Sequence, residues 1–340
     1  MKALRLEQPG QVALVEVPEP QMGPEDVLVE LRYVGLCGSD LNAYRGLSPM
    51  VTYPRIPGHE VGGVIVAKGP GVPDRVAIGS QVTASPYTNC GLCPACRVGR
   101  VNTCQFNQTM GVQRDGALTE RIAVHYAKVY ASSALSLQEL ALVEPLSVGY
   151  HAANRGRVCE TDTVLVLGCG VIGLGVVTAA ARKAARVLAL DIDEGKLAQA
   201  AKLGAQETID SATEDVPARV SALTRGEGVS VAIEAVGLPA TYRLAVEVVA
   251  FAGRVVCIGY AKDEVAFATR LFVSKELEIF GSRNALHVFP SVIKMLEQRE
   301  RPFANLISAV VPFDQAPGVF AEWDASPLRF TKILVERTHP

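Results

Sequence analysis

Neither sign of charge is in surplus in this chain of 340 residues: 33 Lys and Arg stand against 35 Asp and Glu, a formal net charge of −2. With a pI near 6.3 there is no electrostatic footprint for a nucleic-acid backbone, so nucleic acid is not an expected partner. An unbroken apolar run of membrane-spanning length is also missing. The longest apolar stretch, around Val164–Ala181, is interrupted by glycines, and no membrane span is expected. The opening MKALRLEQPGQVALVEVPEP alternates like a strand and lacks the basic segment and apolar block of a secretory leader. No internal repeat and no low-complexity segment is found. These absences predict a soluble protein of the cytoplasm, a reducing compartment, and the length predicts two domains, each with its own core.

Cysteine is where the chain is distinctive. Cys90, Cys93, Cys96 and Cys104 lie in the run CGLCPACRVGRVNTC, separated by gaps of two, two and seven residues. That spacing lets one short loop wrap four thiolates around a tetrahedral Zn²⁺, the geometry of a closed structural site. A chance cluster of thiols is the plainer alternative. A disulfide framework is disfavoured by the length, the absent leader and the metal-like spacing. Such a zinc would staple a loop without defining an activity.

Residues 1–135 read as short strands with Gly/Pro turns: VALVEV, DVLVELRYVG, EVGGVIVAKG and RIAVHYAKVY. This predicts a β-rich, barrel-like region with long functional loops. From about Leu140 strands alternate with helices. TVLVLG precedes an Ala/Val-rich helix, RVLALD precedes EGKLAQAAKLGA, and VSVAIEAVG precedes TYRLAVEVVA, followed by RVVCIG and LEIFGS. Alternation of this kind predicts a doubly wound parallel sheet with right-handed crossovers, hence an α/β fold. After Asn284 the sequence predicts one helix, FPSVIKMLEQRE, and two short stretches, ISAVVPF and TKILVE.

The first strand of the alternating region closes on Gly168-Cys169-Gly170-Val171-Ile172-Gly173 and opens a helix, the setting in which a G-x-G-x-x-G motif marks a dinucleotide site. Gly168 permits the tight turn, Gly170 the approach of a pyrophosphate to the backbone, and Gly173 close helix–strand packing. The phosphates would lie on the N–H groups around Val171 and Ile172 at the positive end of that helix. Asp191 ends the next strand, where a carboxylate would accept from both ribose hydroxyls and repel a 2′-phosphate. The run Asp191-Ile-Asp193-Glu194 brings no arginine, so NAD is expected rather than NADP. A glycine-rich turn without a ligand is the plainer reading of the motif.

Cys37 in GLCGSD and His59-Glu60 in PGHE are placed in loops of the β-rich region. A cysteine, a histidine and a carboxylate are the mixture expected where three protein ligands leave a fourth position open for water or substrate. Each alone reads as core or surface; together with the four-cysteine loop and the nucleotide fingerprint they suggest a catalytic metal.

On GLCGSD (35–40), PGHE (57–60), the four-cysteine loop, ALVEPLSV (141–148) and GCGVIG (168–173), the chain resembles the zinc-dependent medium-chain dehydrogenase/reductase superfamily over essentially its whole length. Within it the likeness is to the polyol dehydrogenase branch, and YPRIPGHEVGG and GSRNA (281–285) look most like enzymes oxidising sugar acids such as L-galactonate or L-gulonate. The resemblance implies a GroES-like catalytic domain over 1–146 and 285–340 and a Rossmann domain over 147–284. It assigns Cys37 and His59 as ligands of a catalytic zinc, with Glu60 as a third ligand or alternate and Glu144 reaching the metal directly or through water. It makes Asp40 the group that holds the His59 imidazole in one tautomer, and Ser39 the group that contacts the substrate hydroxyl and starts the proton's exit. Many relatives read C-G-[ST]-D-x-H; here Asn42 replaces that histidine and cannot relay a proton. Arg283 is implied to face the substrate and pair with a sugar-acid carboxylate. His125, His151 and His287 match no ligand position, and His151 is expected in the core.

The expected activity is hydride transfer from a secondary alcohol of a sugar acid or polyol to NAD, with two Zn²⁺ per chain, one catalytic and one structural. The resemblance implies a homo-oligomer, dimer or tetramer. The alternatives are a threonine- or butanediol-type dehydrogenase with the same chemistry and a different pocket, or a non-enzymatic NAD(H)/zinc redox sensor. A pure sensor has no use for an open metal position.

Overall fold

The computed structural model describes residues 1–337. The chain forms two compact units, Met1–Glu144 together with the chain from Phe289 onward, and Pro145–Val288. The first boundary falls inside the helix Val143–Arg155, which carries Glu144 in its first turn.

In the first unit, β1 (Lys2–Gln8) pairs antiparallel with β2 (Gln11–Glu16). The remaining strands there are β3 (Asp26–Leu36), β4 (Glu60–Lys68), β5 (Gln81–Ala84), β6 (Arg121–His125) and β7 (Val129–Ala131). Six more strands belong to the second unit: β8 (Thr163–Leu167), β9 (Arg186–Asp191), β10 (Glu207–Asp210), β11 (Val229–Glu234), β12 (Val249–Cys257) and β13 (Glu278–Gly281). The chain then returns with β14 (Ile307–Pro312) and β15 (Lys332–Glu336).

The first unit's main sheet runs β14-β15-β3-β4-β5-β7, with β6 also paired to β3. In β3 the alternation of the sequence becomes two faces: Val27, Val29 and Leu31 are buried while Leu28, Glu30 and Arg32 are half-buried, the period-2 signature of a sheet covered on one side. β15 comes from the far end of the chain and pairs antiparallel with β3, Leu334 opposite Gly35. On the other side of β3, Gly35 lies opposite Glu60 of β4. Glycine at 35 therefore separates the start of β4 from the start of β15, and no side chain stands between them.

The second unit is a parallel sheet in the order β10-β9-β8-β11-β12-β13. Read from β8 this is 3-2-1-4-5-6, the Rossmann order, whose strand order reverses between the first and fourth strands, here β8 and β11. Val164 to Leu167 of β8 are buried throughout, as expected of a parallel strand covered on both faces.

Several elements differ from the sequence reading. Cys37 is the N-cap of the helix Gly38–Tyr44, not a loop residue, and Glu60 opens β4. The third strand of the parallel sheet is ETID, too short and too polar to register as a strand. A helix Val216–Leu223 follows it, and a helix Ala316–Ala325 precedes β15. Among the described residues, no helix is long and apolar enough to cross a membrane.

Candidate active site

The four cysteines are gathered so that their sulfurs all lie within 4.8 Å of one another. Cys104 Sγ lies 3.6 Å from Cys90 Sγ and 3.9 Å from Cys93 Sγ. Four thiolates at about 2.3 Å from one zinc are spaced by roughly 3.8 Å, the edge of the tetrahedron. The separations fit that edge and are far longer than a disulfide bond. Backbone N–H groups of Leu92 and Cys93 donate to Cys90 Sγ, and that of Cys90 donates to Cys104 Sγ. Amides facing Cys93 draw its thiol down to about 6, toward the thiolate that a metal requires.

A second donor set lies in the same unit. One ligand atom each from Cys37, His59 and Glu60 falls within 4.8 Å of the others. Cys37 is half-buried; His59 and Glu60 are buried. Glu144 is not in that set. It is buried in the first turn of its helix, where the hydroxyl of buried Tyr87 donates to Oε1. Burial raises the Glu144 pKa, the neighbouring His59 opposes the rise, and Glu60 adds to it.

Asp40 acts differently from expectation. Its Oδ1 is 4.0 Å from His59 Nδ1, beyond hydrogen-bond length, and Nδ1 is buried without a hydrogen-bond partner. The carboxylate instead accepts from Cys37 N at 2.8 Å and from Gly58 N at 3.2 Å. It ties together the two segments that carry Cys37 and His59, so it fixes where the donors meet rather than the tautomer. Burial alone would lower the His59 pKa, but Asp40, Cys37 and Glu144 raise it well above its ordinary value. Two carboxylates and a thiol acting on one imidazole make a site that favours a cation. Donor chemistry, proximity and charge all fit a zinc ion.

Sequence reasoning missed Lys332. Its side chain is almost fully buried, with Nζ 2.6 Å from both carboxylate oxygens of Glu60 and 2.9 Å from Leu36 O. Burial works to lower its pKa, yet Glu60 and Cys37 hold it above the ordinary value. The bridge passes over Gly35, where an added Cβ would lie 2.0 Å from Glu60 Oε2. Ser39 is half-buried in the first turn of its helix, and Asn42 stands in the same helix.

In the second unit Gly168 has φ +94 and Gly173 lies so close to β8 that a Cβ would meet Gly168 O at 1.8 Å. Gly170 caps the helix Val171–Arg182, and a Cβ there would meet nothing within 4 Å. The backbone at that helix start is therefore uncovered on the side of the Gly170 Cα. Asp191 closes the turn from the end of β9: Oδ2 accepts from Cys169 N at 2.6 Å, and Oδ1 from Ile192 N and Asp193 N. Arg283 follows β13, half-buried and engaged with a neighbouring group. His151 is buried; His125 and His287 are exposed.

A Rossmann sheet, a four-thiolate loop and a Cys/His/carboxylate set are the parts of a protein that binds metal and a nucleotide. The comparisons with known proteins give the family. A profile described as alcohol dehydrogenase GroES-like domain matches residues 23–134, and one described as zinc-binding dehydrogenase matches 171–298. An uncharacterised zinc-type alcohol dehydrogenase-like protein of Haemophilus influenzae is 34% identical over 98% of this chain and 98% of its own. The L-galactonate-5-dehydrogenase of Escherichia coli is 33% identical over 84% of each. A protein of Sinorhizobium meliloti solved with NADP bound superposes with a TM-score of 0.92 at 30% identity over 99% of both chains. The chain belongs to the zinc-type medium-chain alcohol dehydrogenase family.

Proposed function

We propose that this enzyme is an NAD-dependent, zinc-dependent dehydrogenase that oxidises a secondary alcohol of a sugar acid or polyol to the ketone. The observation that carries it is the meeting of Cys37, His59 and Glu60 within 4.8 Å, three protein donors that leave a fourth position for substrate. When bound, zinc supplies the Lewis acid that favours the alkoxide, and the nicotinamide supplies the hydride acceptor. The chain's residues do the rest. Asp40 fixes the backbone at Cys37 and Gly58, and Lys332 orients Glu60. Ser39 takes the substrate hydroxyl proton, and Asn42, with no titratable group, cannot relay it further. Asp191 accepts from the ribose hydroxyls. Arg283 pairs with the carboxylate of a sugar acid, a substrate class that the likeness to L-galactonate-5-dehydrogenase supports. A cytoplasmic homo-oligomer completes the reading; light scattering of the purified protein reads its dimeric or tetrameric mass.

NADH formation on a panel of sugar acids, polyols and amino alcohols with NAD, at mildly alkaline pH, tests the activity. Sugar acids should head the ranking. Neutral polyols ahead of every acid would move the reading to a sorbitol-type enzyme, amino alcohols ahead would move it to the threonine type, and no turnover would leave the sensor.

NAD should be used far better than NADP, although the Sinorhizobium relative was solved with NADP. Asp191→Ala should narrow the gap mainly through the cofactor KM, because it removes both a ribose acceptor and the repulsion of a 2′-phosphate. A wild type that prefers NADP refutes this use of Asp191. Arg283→Ala should raise KM for a sugar acid by about 10- to 150-fold, the loss of a charge-assisted hydrogen bond of roughly 1.5–3 kcal/mol. KM for a neutral polyol of equal length should hardly change. Equal effects on both would remove Arg283 from substrate binding.

A further inference from the structure

Two buried carboxylates bear on one candidate metal site: Glu60 belongs to the converging donor set, and Glu144 lies outside it but close enough to feel the charges of His59 and Glu60. A fourth protein ligand would close the site in the manner of a structural zinc and leave no position for substrate. Something must therefore withhold Glu144 from a cation that attracts it. The structure shows a group placed to do so: the Tyr87 hydroxyl, donating to Glu144 Oε1. Tyr87 is itself buried, and the segment carrying it is pinned on both sides. Pro86 O accepts from Met110 N at 3.0 Å. Thr88 N donates to Asn107 Oδ1 at 3.1 Å, and Thr88 Oγ1 accepts from Gln108 N at 2.7 Å. Asn89 Oδ1 accepts from Lys128 Nζ at 2.8 Å, and the next residue is Cys90 of the four-cysteine cluster.

We propose that Tyr87 is the positioning residue that keeps Glu144 out of the metal's coordination shell, so that Cys37, His59 and Glu60 remain its protein ligands and the fourth position stays open. A phenol suits the task because it satisfies a buried carboxylate oxygen without bringing a competing positive charge. The inference rests on the reading that Cys37, His59 and Glu60 hold the metal. Its origin lies in the four-cysteine lobe, whose fixed geometry sets where the phenol stands.

The test exchanges Co²⁺ into the Cys37–His59–Glu60 site with zinc kept on the four cysteines, and follows the visible spectrum, azide binding and metal loss to a chelator. Tyr87→Phe should alter the spectrum, slow the metal loss and weaken azide binding at least about tenfold, the scale of one hydrogen bond to a charged group. Adding Glu144→Gln to that variant should restore the wild-type azide response, a rescue that a merely structural role for Tyr87 would not produce. A Tyr87→Phe spectrum and azide affinity equal to wild type would overturn the inference while leaving the metal site standing. If Tyr87→Phe does not fold, Glu144→Gln alone decides: an unchanged spectrum agrees with an outer Glu144, and a changed one makes it a ligand already and overturns the inference. Wild-type protein that takes up no metal beyond the four cysteines would overturn both the metal-site reading and the inference.

Discussion

Cys37→Ala should leave one zinc per chain where the wild type, with its two donor clusters, should bind two, and cut turnover by about a thousandfold or more, with the fold retained. The turnover loss follows from the Lewis acid, which contributes several kcal/mol of charge stabilisation and has no substitute among the remaining side chains. The fold should survive because Cys37 is a half-buried N-cap whose backbone N–H is bound by Asp40, a contact that alanine keeps. Cys93→Ala should behave in the opposite way. It leaves Cys37, His59 and Glu60 in place but removes a ligand from a site whose metal binding is itself folding free energy, about 10–16 kcal/mol for small structural zinc sites. Its expected signature is a large fall in Tm and aggregation on mild heating. Metal analysis and thermal melts of the two variants separate the roles. Loss of both zincs from Cys37→Ala, or an unchanged melt for Cys93→Ala, would contradict two independent sites.

What the sequence made legible was what lies close together along the chain. The four cysteines fall within fifteen residues, and the glycine fingerprint within six, so spacing alone carries their geometry. Cys37 and His59-Glu60 were visible as ligand types, but the group that brings them together was not. Asp40 was assigned to the imidazole from resemblance, whereas its carboxylate accepts from two backbone amides, which leave no trace in side-chain identity. The Lys332–Glu60 pair spans 272 residues and depends on a strand pairing that no local pattern encodes. The one local sign was a lysine opening a strand with an apolar centre, KILVE, and a lysine at a strand end more often reaches solvent. Gly35 ends the strand-like stretch DVLVELRYVG, which gives no sign that it is also the gap through which that pair forms. The missed strand ETID fails for another reason: four half-polar residues have no alternation to read, and only pairing with β9 makes them a strand.

Lys332→Met should destabilise the protein by about 3–5 kcal/mol, because it leaves the Glu60 carboxylate buried without its counter-charge. Truncating one partner costs more than the pair itself is worth, so the double change Lys332→Met/Glu60→Gln should recover much of the loss. With no shared charge left to strand, the two effects cannot add. The deficit should shrink with the catalytic metal bound, since a cation on Glu60 supplies part of what the ammonium did. The pH dependence follows from the direction of the lysine's shift. Its folded-state pKa is raised above the ordinary value, so the stabilisation is fully present at pH values below the unfolded lysine's pKa of about 10.4. It is lost only as pH rises through the folded-state value. Wild type should therefore keep its advantage over Lys332→Met at neutral pH, and the two should converge as the lysine loses its proton in strong alkali. Denaturant unfolding of the three proteins at neutral and alkaline pH measures this. A Lys332→Met variant as stable as wild type at neutral pH would show that the buried ammonium is not what holds Glu60 in the donor set.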